Sequence, residues 1–346
     1  MDIPTFNMQP SESLVYAYAF DGPNLYRPGP GVALGVLSEH DQQQQISLNL
    51  KQLAMRVGIV IGQLSISSIA HSQGILTRLD FATPTPGIAL EVACLAVAAS
   101  IAGKEHSPEL EEALWQAQQR RRSEALPLWA VQILAEARRR RIPAFRWQQG
   151  LQLGYGTRGM YIAVDQGAPS AERILPESIG ISDQGSKAVG RKQPIDWSKL
   201  GSVPLIAISG GDTQQRHDMA ERLLEAKNIA ADSYTLLVDG SFEDIRRRLV
   251  QADTQAAIMT LHPSMLLTRG LPFEECQACV ILKPVGQQSE AYVNGENMLR
   301  AIGLPLLVTD PQGIALFLLE TEQANLLGEY APCETSSQLQ LFLSRL

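Results

Sequence analysis

Six consecutive residues, Ser209, Gly210, Gly211, Asp212, Thr213 and Gln214, have the spacing that phosphate chemistry uses. The apolar run at 205–208 before them reads as a buried strand. Residues 213–228 after them carry Met219, Leu223, Leu224 and Ala226 at helical spacing. Strand, glycine turn and helix is the layout of a phosphate-binding loop, whose backbone N–H groups and helix N-terminus hold an anion. Such a loop also needs a Lys to neutralise the terminal phosphates and a Ser or Thr hydroxyl for magnesium. Here the turn runs into Thr213-Gln214-Gln215, and Gln214 carries no charge. Arg216 and Lys227 lie too far along to act from inside the loop. The element reads as a nucleotide-loop scaffold without its catalytic atoms. The plain alternative is that any parallel α/β sheet has a turn of this kind.

Other chemistry-bearing residues weigh less. Cys276-Gln-Ala-Cys279 has redox or metal spacing, but a zinc ribbon needs a second pair that Cys94 and Cys333 do not supply. Buried structural thiols are the expectation, and no metal site is assigned. His217 and His262 flank the turn as lone histidines, which are rarely catalytic. The run Arg138, Arg139, Arg140, Arg141 ends a helical stretch, where cations complement the helix dipole. It is also the one candidate binding surface for an acidic partner.

The elements that must position these residues follow from periodicity and punctuation. Residues 13–37 read as extended segments joined by Gly22-Pro23 and Pro28-Gly-Pro-Gly31. A helix is expected at 46–63, with Leu48, Leu50, Leu53, Val57 and Ile61 available for burial. Strands are expected at 65–70 and 74–81, and helices at 87–102, 107–122 and 128–140. The helix at 107 starts on Ser107-Pro108, a cap followed by a first-turn proline. A strand is expected at 142–146. Residues 163–203 are rich in Gly, Ser, Pro and Gln, which is linker composition. Beyond them strands (205–208, 234–238, 256–260, 278–282, 304–308) alternate with helices (213–228, 242–251, 294–301). That alternation argues for a parallel sheet covered by helices. A strand at 313–319 and a helix at 336–346 close the chain.

The composition sets outer limits. With 346 residues, two domains are expected. The formal net charge of -7 argues against a nucleic-acid-binding surface. Four scattered cysteines suit a reducing compartment. No signal peptide or bilayer-length apolar run stands out, so the expectation is a cytoplasmic chain with no membrane contact.

Three pieces in order resemble the cyanophycin synthetase family, whose members build a polyaspartate backbone with arginine branches. The first is Gly22-Pro-Asn-Leu-Tyr26. The second is Ala137-Arg-Arg-Arg-Arg-Ile-Pro143 leading to Leu153-Gly-Tyr-Gly156. The third is the strand–loop–helix at Pro204, followed by residues 257–271 and Phe273-Glu-Glu-Cys276. The resemblance implies an N-terminal domain, an ATP-grasp domain and a Mur-ligase-like domain. The ATP-grasp domain would follow Leu153-Gly-Tyr-Gly156, where this chain has the polar linker. In the family's Thr-Gly-Thr-Asn-Gly-Lys-Thr loop, Gln214 falls at the Lys and Thr213 at the second Gly. Thr260 falls at a magnesium-binding Glu. Lys283-Pro-Val-Gly-Gln-Gln288 replaces an Asn-x-Gly-Glu-Asp-His stretch and lacks its His. Many members also carry a His-x-x-Glu-His run suited to zinc, and here Ile88-Ala-Leu-Glu-Val92 keeps Glu91 alone.

Together these readings give an α+β N-terminal domain (1–162), a linker in place of the ATP-grasp domain (163–203) and an α/β Mur-ligase-like domain (204–346). The last has a mainly parallel sheet and a degenerate phosphate loop. The functional expectation is a pseudoenzyme, because ligation through an acyl phosphate needs charge neutralisation and metal ions. It would bind cyanophycin synthetase or an acidic peptide or polymer, and homo-oligomers are in keeping with the family. No cofactor is expected, with weak ATP binding through backbone groups left open. The alternative is a diverged nucleotide-binding enzyme whose site has been rebuilt with side chains such as Lys283 or His262. A third reading is an interaction module unconnected with the polymer.

Overall fold

Alternation of apolar residues along two adjacent strands, Val32, Leu34 and Val36 on one and Leu79 and Phe81 on the other, sets up the first core. The computed structural model describes residues 13–24, 26–27, 29–102, 107–164, 195–210, 212–226, 235–237, 240–274, 276, 278–282 and 316–317. Four antiparallel strands, β1 (Ser13–Phe20), β2 (Gly31–Ser38), β3 (Gly62–His71) and β4 (Gly74–Ala82), form a sheet in the order β1-β2-β4-β3. Helices α1 (Gln43–Val57), α2 (Pro86–Ala102) and α3 (Pro108–Ser123) share its core. From α1 come Ile46, Leu50, Leu53 and Val57, spaced four, three and four apart. Leu48, expected to be buried, is 51% exposed, because two residues from Ile46 is more than half a turn away. Ser107 Oγ accepts the Leu110 N–H at 3.2 Å, so the expected cap of α3 is present.

A second core gathers Ala130, Ile133 and Ala137 of α4 (Leu128–Arg139) with Leu151 and Leu153. Those leucines lie on β6 (Gly150–Leu153), between β5 (Ala144–Trp147) and β7 (Met160–Ala163) in a three-stranded antiparallel sheet. Five further strands are β8 (Leu205–Gly210), β9 (Thr235–Leu237), β10 (Ala257–Leu261), β11 (Ala278–Leu282) and β12 (Leu316–Phe317). All their pairings are parallel, in the order β12-β11-β8-β10-β9. Helix α5 (Thr213–Ala226) follows β8, and α6 (Phe242–Leu249) lies between β9 and β10 in the chain. Residues 205–208 are at most 1% exposed, which explains their uninterrupted apolar character. β8 is central and has its chain successors β9 and β10 on one side and β11 and β12 on the other. The strand order therefore reverses at β8, the position where open α/β sheets place their ligand crevice.

The described residues divide into two compact units at Ala125/Leu126, not near 162. Residues 126–164 belong with the parallel sheet. Pro263–Glu274, containing a short helix α7 (Pro263–Arg269), belongs with the first unit. Composition marks where apolar density falls, but a core decides which segments belong together. Ile195 and Leu200, read as linker, are 8% and 6% exposed within the second core. Residues 165–194 of that stretch lie outside the described residues, as do the expected strand 304–308 and helices 294–301 and 336–346. β6 and β7 were not expected, because four-residue strands leave little periodicity to read. Among the described residues, no helix is long and apolar enough to cross a membrane.

Candidate functional site

The turn after β8 is closed by its own side chains. The Gln215 N–H donates to Asp212 Oδ1 at 2.8 Å, and the Asp212 N–H donates to Gln215 Oε1 at 2.9 Å. This reciprocal arrangement is a capping box, with Asp212 as cap and Gln215 three residues on. A carboxylate thus occupies the start of α5, where a phosphate loop would receive its ligand. Gln214 donates its amide to Asp218 Oδ1 at 2.7 Å. Thr213 Oγ1 accepts from Arg216 Nη2 at 3.2 Å. Arg216 itself is 2% exposed. Gly211 lies outside the described residues.

Magnitudes decide what this turn can hold. A helix N-terminus favours an anion by roughly 0.3–1 kcal/mol, up to about 2 in partly buried geometry. A second anion about 4 Å from the Asp212 carboxylate is opposed by roughly 4 kcal/mol per charge pair near a protein surface. Repulsion exceeds the dipole term, and the uncharged Gln214 offsets none of it. Ser209 Oγ is fully buried at the end of β8 with no hydrogen-bond partner. Thr260 of β10, aligned with Ile208, is also fully buried.

Of the two histidines, His217 has a partner on its own helix. His217 Nε2 lies 3.2 Å from Glu221 Oε1, four residues along α5. His262 is exposed. Cys276 is buried and in no disulfide, and Cys279 falls on β11. Lys283 and the stretch through Gln288 lie outside the described residues. Among the described residues, no group of three or more His, Cys, Asp and Glu side chains could hold a metal ion.

In the first unit Glu91 receives both terminal nitrogens of Arg120, an ion pair across α2 and α3. Neighbouring Cys94 has its thiol pushed up to about 11 by burial, with Glu91 adding to the effect. Both residues therefore have packing and pairing roles.

The arginine run at the end of α4 has an internal order that the sequence did not reveal. Arg139 holds Glu136 through Nε at 2.8 Å and Nη2 at 2.6 Å, and Arg140 Nε reaches the same carboxylate at 2.6 Å. These bonds, Arg139 foremost, hold the Glu136 carboxyl down to about 2. The Arg140 guanidinium also lies 5.1 Å from the centre of the Trp197 ring. Trp197 comes from the stretch read as linker, so a lone tryptophan in polar surroundings was the only signal available.

The other two motif pieces serve the backbone. Asn24 is 1% exposed and donates to the carbonyls of Gly22 (3.1 Å) and Gly29 (2.8 Å), while its Oδ1 accepts the Tyr26 N–H at 3.1 Å. The Pro23 carbonyl accepts the Leu271 N–H at 2.7 Å. The loop so fixed delivers Arg27 to Asp80 and the Tyr26 hydroxyl to Tyr16. Burial raises the Asp80 carboxyl even against the opposing pull of Arg27, and burial raises the Tyr26 phenol. In Leu153-Gly-Tyr-Gly156, Gly154 and Gly156 have φ of 69° and 53°. A Cβ on Gly156 would stand 1.9 Å from the Thr254 carbonyl, which accepts the Thr157 N–H at 2.8 Å. Only glycine fits that approach.

A family described as a domain of unknown function (DUF4938) matches residues 13–334, and the chain belongs to it. No curated protein matches the chain.

Proposed function

We propose that this member of the DUF4938 family is a non-catalytic relative of cyanophycin synthetase, a binding or regulatory partner in the metabolism of that polymer or a related peptide. The observation that carries the reading is the Asp212–Gln215 capping box, which fills the anion position with the chain's own carboxylate. Gln214 in place of the lysine supports it, as does its amide being engaged with Asp218. A Mur-ligase-like second half is in keeping with the glycine turn at the end of the central strand of a parallel sheet. The four scattered cysteines support a cytoplasmic location. The motif order supports cyanophycin synthetase or its polymer as partner, and a homo-oligomeric state follows the same resemblance.

Calorimetry with magnesium-ATP at millimolar concentration is expected to give no binding heat. Incubation with ATP, Asp, Arg and their dipeptide is expected to release no ADP. Amino-acid-dependent ADP release would overturn the proposal. Capture of the tagged chain from its own cells is expected to bring down an active cyanophycin synthetase or polymer. A rebuilt nucleotide site is the second reading, favoured by the unpartnered hydroxyl of Ser209 beside the turn. ATP binding without amino-acid-dependent turnover would select it.

A further inference from the structure

The end of α4 already shows how this surface treats a carboxylate: Arg139 and Arg140 converge on Glu136 with three hydrogen bonds between 2.6 and 2.8 Å. Planar guanidinium groups recognise carboxylates in this forked manner. Arg138 and Arg141 are exposed, and no hydrogen bond or ion pair engages either side chain among the described residues. Lys199, two residues beyond Trp197, is 81% exposed in its side chain and lies 3.4 Å from Asp196.

Arg141 occupies a costly place. The Ile142 N–H donates to the Ala137 carbonyl at 2.9 Å and the Arg141 N–H to the Arg138 carbonyl at 3.0 Å. These two bonds make a Schellman ending, whose left-handed position is usually glycine. Arg141 fills it with φ of 57°. Helix termination would be better served by glycine, and the dipole is already met by Arg138, Arg139 and Arg140. The side chain at 141 therefore calls for a role outside the helix.

We infer that the end of α4, with Arg138 and Arg141 as free forks beside the Glu136-bound Arg139 and Arg140, docks an acidic polypeptide segment through its carboxylates. Nucleic acid fits less well. Trp197, the aromatic surface within the cluster, is already stacked by Arg140 and is not free for a base. The chain's net charge of -7 opposes a long polyanion that must pass over other surfaces. The inference does not depend on the closed phosphate turn, and ATP turnover by the protein would leave it standing.

The test is fluorescence anisotropy of a short labelled oligo-glutamate peptide, long enough to span the end of α4 only, with the full chain at low salt. The variants are Arg141→Gly and the double variant Arg138→Gln/Arg141→Gly. Because glycine suits a left-handed φ, Arg141→Gly is expected to keep or raise the melting temperature while weakening binding, which separates recognition from folding. The double variant is expected to bind about threefold or more weakly, since each exposed charge contributes modestly. A smaller change, no binding by the parent chain, or equally tight binding of a single-stranded DNA of matched length would overturn the inference.

Discussion

Two turns that both follow a strand, one at 21–30 after β1 and one at 209–215 after β8, use polar side chains in opposite ways. In the first, Asn24 is buried and spends its amide on backbone carbonyls inside the loop. In the second, Asp212 is exposed and spends its carboxylate on the first turn of α5. Removing a buried hydrogen-bonding group leaves its partners dry and unmet, whereas water can replace an exposed one. The first turn should therefore govern stability and the second should govern what the protein can bind.

The largest expected effect lies in the ion pair that the first turn delivers. Asp80→Ala would leave the Arg27 guanidinium, 6% exposed, without its carboxylate. The expected loss is about 3 kcal/mol or more, read by urea unfolding. Asn24→Ala should cost about 2 kcal/mol, because the Gly22 and Gly29 carbonyls and the Tyr26 N–H lose their partner together. A loss below about 0.5 kcal/mol would refute the account of that loop.

Changes in the second turn should cost less and reveal more. Asp212→Ala should cost about 1 kcal/mol as a lost cap. Asp212→Asn keeps a capping oxygen and removes the charge, so stability should move by only about 0.5 kcal/mol. With the repulsion gone, inorganic phosphate at millimolar concentration should raise the melting temperature of Asp212→Asn and leave the parent chain unmoved. An equal response in both would show that the carboxylate does not close the site.

The smallest expected effect is at the end of α4. The Glu136 carboxyl is held at about 2, against 4.5 for an unperturbed glutamate. A lowered native value means that the carboxylate stabilises the fold above about pH 4.5, and that this contribution is lost as pH falls toward 2. Arg139 and Arg140 are largely exposed, so screening keeps the effect small. Glu136→Gln should lower the melting temperature by only about a degree or two near neutral pH. It should also flatten the acid limb of the stability profile, and an unchanged limb would remove Glu136 from the account.

Sequence by itself determined the elements with long regular patterns and strong punctuation. The α3 cap at Ser107-Pro108, the apolar strand at 205–208 and the parallel alternation after it were all legible. So was the uncharged side chain at Gln214. These depend on neighbours in the chain, where side-chain type and spacing fix the local physics. Tertiary structure alone decided which segments share a core. It put α4 and β5–β7 with the parallel sheet, Pro263–Glu274 with the first unit, and Ile195 and Leu200 inside what had read as linker. It also decided that Asp212 turns back on α5, that Arg139 and Arg140 share Glu136, and that Trp197 lies beneath Arg140. Charge and hydropathy are written in the sequence, but the partner that satisfies each buried or charged group is chosen by distance in space.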